Sequence, residues 1–247
     1  MRHFIISLTL VLFIVANSNA AVFQEEVKYY DIEILLFENL QQNANNTETW
    51  PSSIEFEVPE NSLFIGSPYP GPIPKNYNPR FTFKPIKAST YQLQGEAKAL
   101  TEHSDYRILY HRSWRQPGMK HDDAISVKIQ REIPRLPHLP APESIEDVEY
   151  NRVINQRLPK FNQLKGLIKI SLSRYLHIKT DIQYTHHVVS KEVKDNQEQT
   201  DPSFAEIKPL VYQLKQKRKM RSKELHYLDN PKLGLLVYIT PVKTTVQ

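Results

Sequence analysis

Prolines decide the layout of this chain. Eight of its 18 prolines fall between residues 51 and 85, at positions 51, 59, 68, 70, 72, 74, 79 and 85. A proline ring fixes φ and removes a backbone donor, so this stretch cannot form a helix interior or a central strand. It must run extended over a surface. Its aromatic residues, Phe56, Phe64, Tyr69, Tyr77, Phe81 and Phe83, imply that it is pinned down there. Pro134, Pro137, Pro140 and Pro142 make a second connector of the same kind. Regular structure is confined to the segments between them.

Those segments read mainly as strands. From Tyr29 to Phe37, residues Tyr30, Ile32, Ile34 and Leu36 share one face, and Asp31 and Glu33 lie on the other. That alternation marks a half-buried strand. Ser89 and Gln92 form a capping-box pair, and Leu93, Ala97 and Leu100 follow at helical spacing, which predicts the main helix. Tyr106 to Arg115 is a second strand, stopped by Pro117-Gly118. Ile125 to Ile129 is a short strand, and residues 144–157 hold a short helix capped by Ser144.

Residues 168–184 carry the cleanest alternation. Ile168, Ile170, Leu172, Leu176, Ile178, Ile182 and Tyr184 are all even-numbered; Lys169, Ser171, Ser173, His177, Lys179, Asp181 and Gln183 are all odd-numbered. A two-residue hairpin turn would reverse this parity, whereas a loop of odd length would keep it. No Gly, Pro or Asn interrupts the run, which reads as one long strand bent near Arg174-Tyr175. Ser190 to Ser203 reads as a polar loop. Strands follow from Leu210 to Met220, from Leu225 to Leu228 and, after an Asp229-Asn230-Pro231 turn, from Gly234 to Thr240. The order predicts an α+β fold: a mainly antiparallel sheet of five to seven strands, one main helix packed on it, and long proline-rich connectors.

The N-terminus reads as an export signal. Arg2 is its positive start, Phe4 to Val15 its apolar run, and Ser18-Asn19-Ala20 its cleavage site, with cleavage after Ala20. The apolar run is well short of the about 20 residues that span a bilayer. The domain reading is therefore a signal peptide at 1–20 and a single α+β domain at 21–247, with the proline-rich insertion 51–85. The chain has no cysteine, which excludes disulfides, thiolate metal sites, cysteine nucleophiles and a lipoprotein anchor. Charged residues make up 24% and mean hydropathy is −0.52, too polar for a multi-span membrane protein.

Catalytic motifs are missing. There is no GxSxG, HExxH, SxxK, P-loop or dinucleotide fingerprint. His186 and His187 are neighbours on a strand, so they point to opposite faces and make poor co-ligands for a metal. The pairs Asp122-Asp123 and Glu25-Glu26 select no acid and base. The reading is a non-enzyme with no cofactor and no metal.

Two surfaces remain as binding candidates. Lys215, Lys217, Lys219, Arg221 and Lys223 are all odd-numbered, so a strand through them carries a cationic strip on one face. Such a strip suits a polyanion; it suits equally a solvated edge strand that uses lysine to prevent edge pairing. The second is the strand face shared by Tyr110, Arg112 and Trp114, which can stack on a sugar or peptide, or simply pack a core. Nucleic acid is not a ligand available to an exported chain.

Three blocks together resemble the CsiV family. The first runs from Tyr30 to Phe37, followed by Trp50-Pro51. The second joins Tyr91-Gln92-Leu93, Ala99-Leu100, and Tyr106 through Arg112-Ser113-Trp114-Arg115-Gln116. The third runs from Gly166 to His177 and then from Arg218 to Pro231, with Leu233-Gly234-Leu235. The family pattern has a His where this chain has Asn230, and often a Gly near Lys223. Residues 51–85 and 131–160 lie outside the resemblance. It implies a non-catalytic periplasmic peptidoglycan-binding protein of gammaproteobacteria that supports cell-wall synthesis and cell shape. Peptidoglycan is the implied partner, without stable membrane insertion. The alternative is an adaptor for a cell-wall synthase or its lipoprotein activator, with wall binding secondary; a wall hydrolase is a third reading.

Overall fold

The computed structural model describes residues 27–41, 49–136, 145–190, 193–194, 197–198 and 205–243. The signal-peptide segment and Ser144 lie outside them. In chain order the elements are β1 (Tyr29–Asn39), β2 (Lys84–Pro85), α1 (Gln94–Glu102), β3 (Tyr106–Pro117), β4 (Ser126–Pro134), α2 (Ile145–Arg157), β5 (Phe161–Leu172), β6 (Leu176–Ser190), β7 (Val193–Lys194), β8 (Gln197–Glu198), β9 (Glu206–Met220), β10 (Leu225–Asp229) and β11 (Leu233–Val242).

Nine of the strands form two sheets, which replace the single sheet of five to seven strands expected from sequence, and β7 and β8 pair apart from both. Sheet A has the order β10-β11-β1-β3-β2 and sheet B the order β4-β5-β6-β9; both are antiparallel throughout. The α+β class and antiparallel character agree with the strand patterns. The alternating apolar residues explain the pairing of sheet on sheet. Ile32, Ile34 and Leu36 of β1 and Leu235, Val237 and Ile239 of β11 join Ile168 and Ile170 of β5, Ile178 and Ile182 of β6 and Leu214 of β9 in one continuous core. Two half-buried sheets each have one apolar face to hide, and each hides it on the other.

The parity of 168–184 arises from a hairpin. Ser173, Arg174 and Tyr175 form a three-residue turn, and Leu172 pairs with Leu176. A loop of three residues keeps even opposite even, so the alternation looks unbroken. The segment after β6 also holds the two-residue strands β7 and β8, where a polar loop was expected.

Helix α1 starts five residues later than Ser89, and no side chain of its own caps it. The cap comes from β1: the Glu33 carboxylate accepts the backbone N–H groups of Gln92 (2.6 Å) and Leu93 (2.9 Å). A carboxylate there satisfies orphan donors and complements the positive end of the helix. Helix α1 buries none of its own residues; Leu93, just before it, is buried. Helix α2 instead seats Ile154, with Leu158 just past its end, against Ala205, with Val189 and Ile207 packed alongside.

The proline-rich segment is pinned, as its aromatics implied. The Val211 N–H donates to Pro51 at the outer edge of β9 (2.9 Å), and Leu63 bridges Val127 at the edge of β4. Between these anchors the chain crosses the outer face of sheet B. Beyond them it returns to sheet A, where Phe83 enters the core and Lys84–Pro85 pairs with β3.

A polar node ties the sheets together at one end. The Tyr184 hydroxyl donates to the buried Glu38 carboxylate (3.2 Å) and accepts from Arg107 (3.0 Å) and Asn162 (2.8 Å). Arg107 and Lys232 both ion-pair with Glu38. Burial first, and the Glu38 charge second, push the Tyr184 hydroxyl far above its ordinary pKa.

Candidate ligand-binding face

The outward face of sheet B is built from the odd-numbered residues of β5, β6 and β9. Antiparallel pairing aligns Lys169 with Lys179, and Lys179 with Lys217. Three lysines therefore stand in a row across three strands. Cross-strand partners have Cβ atoms roughly 5 Å apart, and like charges directly opposite each other destabilise a sheet. Among the described residues no ion pair joins these three lysines to an acid. Their neighbours differ: Lys215 reaches Asp181 (3.3 Å), which also accepts from Gln213 (2.8 Å). The Lys219 ammonium sits 3.4 Å from the centre of the Tyr175 ring, a cation–π contact at the hairpin turn.

The strap over this face carries Glu55, Glu57 and Glu60, all exposed. Gln183 of β6 donates to the Glu55 carbonyl (3.2 Å), and the Lys165 ammonium lies 4.9 Å from the Phe56 ring. Between strap and sheet lies a groove of about 1010 Å³, whose floor includes Leu167, Lys169, Lys179, Asp181 and Lys215.

The sequence candidates separate on this framework. Lys215, Lys217 and Lys219 share the outward face of β9, as their parity required. Arg221 and Lys223 do not continue the strip, because β9 ends at Met220. Both lie in the turn that carries the chain from sheet B to sheet A. There Lys223 takes a φ of 63°, the left-handed region that favours glycine, and Arg221 ion-pairs with Glu224 (3.6 Å). Trp114 is fully buried in the core, and its indole N–H donates to Gln116 (2.8 Å). Its ring is not offered to a ligand, so the packing reading holds for it. Tyr110 is half-buried, and Arg112 is exposed with its guanidinium 5.6 Å from the Tyr110 ring. These two belong to sheet A and are no part of the lysine face.

Sequence reasoning missed Lys169 and Lys179 as site residues. Their odd parity placed them on the outward face, but only the register sets them beside Lys217. The acidic strap was equally hidden, since nothing local says which surface an extended segment crosses. His186 and His187 do face opposite ways: His186 is buried, while burial lowers the pKa of the half-exposed His187. Among the described residues no group of His, Asp and Glu is arranged to hold a metal ion. No helix among them is long and apolar enough to cross a membrane.

The fold and this face define a two-sheet antiparallel sandwich whose outer face carries a lysine row beside a strap-bordered groove lined by both lysines and acids. A family model described as "Peptidoglycan-binding protein, CsiV" matches residues 5–242, nearly the whole chain. The chain belongs to that family. The match takes in residues 51–85 and 131–160, which lay outside the resemblance read from the sequence blocks. Comparison with curated proteins and with solved structures found no match.

Proposed function

We propose that the chain is a non-catalytic periplasmic peptidoglycan-binding protein that supports cell-wall synthesis and cell shape. Residues 1–20 direct export and are removed after Ala20, leaving 21–247 as a single domain. The wall contact is the outward face of sheet B. One observation carries this: Lys169, Lys179 and Lys217 stand side by side at a cost to the sheet that an anionic polymer relieves. Carboxylates of the wall polymer supply that charge. Co-sedimentation of the mature protein with purified sacculi tests the reading, with profiling of released muropeptides alongside. Binding without new products is the expected result; a time-dependent product makes the protein a hydrolase.

The adaptor role rests on a different surface. Leu225 (47% exposed) and Tyr227 (46%) stand out from β10, in the sheet opposite the lysine row. They give a synthase or its lipoprotein activator an apolar contact while the wall is held elsewhere. The proline-rich segment suits this role less well, because Phe56, Tyr69, Tyr77 and Phe81 are partly covered, Phe83 is buried, and the exposed Phe64 already meets the Lys128 ammonium at 4.8 Å. Crosslinking of a protein partner in wall-free extracts that is lost in Leu225→Ser/Tyr227→Ser supports it.

A further inference from the structure

The groove between strap and sheet separates opposite charges. Its wall, on the strap, holds Glu55, Glu57 and Glu60; its floor, on β5 and β6, holds Lys169 and Lys179. Both groups are at least partly exposed to solvent, and no ion pair links wall to floor among the described residues. The strap is fixed at Pro51 and at Leu63, so it spans the sheet rather than collapsing onto the lysines. Asp181 does not neutralise the floor, being already bonded to Lys215 and Gln213.

The rest of the lining narrows the ligand. No aromatic side chain lines the groove, although sugar rings are commonly held by stacking on such rings. Its apolar contributions are aliphatic patches, Ile54, Val58 and Pro59 on the strap and Leu167 on the floor. A ligand that matches carries several free carboxylates, a free amine and short alkyl groups. Within the wall polymer that is the chemistry of the peptide stem, with its alanine methyls, diamino-acid amine and carboxylates. The acetylated sugar chain lacks the amine.

Resting on the wall-binding reading above, we propose that this groove holds the peptide stem of peptidoglycan rather than its glycan. The stem's carboxylates face Lys169 and Lys179, and its free amine faces the strap glutamates. Charge on both sides gives the orientation, since a peptide entered backwards sets amine on lysine and carboxylate on glutamate.

The test uses the mature protein and three probes: intact sacculi, glycan strands stripped of peptide by an amidase, and a soluble diamino-acid-containing stem peptide. The expected result is at least tenfold weaker binding to stripped glycan, with competition by the free peptide. N-acetylating the peptide amine should weaken competition against the wild type, and do so much less against Glu57→Gln/Glu60→Gln. Thermal unfolding of the variants establishes that they are folded. Equal binding to intact and stripped polymer overturns this inference and leaves wall binding standing. Failure to bind intact sacculi overturns wall binding itself, and the groove assignment with it. An acetylation effect of the same size in both proteins removes the strap glutamates from the site.

Discussion

The outward faces of the two sheets treat charge in opposite ways. On sheet A each acid of β1 meets a partner. Arg115 grips Asp31 with two hydrogen bonds (2.6 and 2.9 Å), and Glu33 receives His111 (2.8 Å) together with two backbone N–H groups ahead of α1. On sheet B three lysines face one another across neighbouring strands. Both patterns grow from the same alternation of polar and apolar residues, so alternation does not distinguish them. The difference lies in whether the cross-strand partner completes the charge or repeats it. Completed charges fix the fold, and the repeated ones form the face proposed above to meet the wall.

The largest effect that sharpens this contrast is on sheet A. Glu33→Ala strips the helix start of its acceptor and leaves His111 without its carboxylate. Removing one partner from a buried charged contact costs about 3 kcal/mol or more. Urea unfolding should show that loss, while binding to sacculi by the folded fraction stays as in the wild type. A change below about 1 kcal/mol contradicts the reading of Glu33 as a structural anchor.

Tyr184→Phe comes next. It leaves Glu38, Arg107 and Asn162 each short of one bond, at about 1–3 kcal/mol. It also carries a pH signature. Because folding raises the Tyr184 pKa, its contribution is fully present below the pKa of an unfolded tyrosine, about 10, and is lost as pH rises above that. Stability measured from pH 8 to 11 should fall less steeply in Tyr184→Phe than in the wild type. Parallel curves remove Tyr184 from the alkaline transition.

The smallest effect has the opposite sign. Lys179 stands between two lysines, so Lys179→Gln should raise stability by about 0.5 kcal/mol at low salt, a gain that shrinks as salt screens the row. A variant that is more stable yet binds the wall less well is the signature of a residue kept for a ligand. Loss of stability in Lys179→Gln contradicts the repulsion on which the site rests.

Strand positions were legible because the apolar period was undisturbed. Tyr29 to Phe37 and Leu210 to Met220 required only the knowledge that residues two apart share a face. The hairpin at Ser173–Tyr175 was masked because a three-residue turn leaves parity unchanged and this one uses no glycine. The cap of α1 was hidden for another reason: its acceptor, Glu33, lies 60 residues before Leu93, where no local motif reaches. Lys223 shows a middle case. Its parity placed it on the strip, but β9 ends at Met220 and Lys223 sits in the following turn with a positive φ, which parity alone does not reveal. Trp114 was legible as a strand residue and ambiguous as a site, and only the presence of a second sheet decided that ambiguity. The lysine row required register, and no single segment contains a register.

The most direct test of the lysine row is salt-titrated co-sedimentation of the mature protein with purified sacculi, run for the wild type and Lys179→Ser/Lys217→Ser. The two lysines supply charge attraction that salt screens over roughly 10 Å at 0.1 M. The account predicts that wild-type binding falls steeply with added salt, and that the folded variant binds at least tenfold more weakly at low salt with a flatter dependence. Equal binding and an equal salt slope in the two proteins would contradict it.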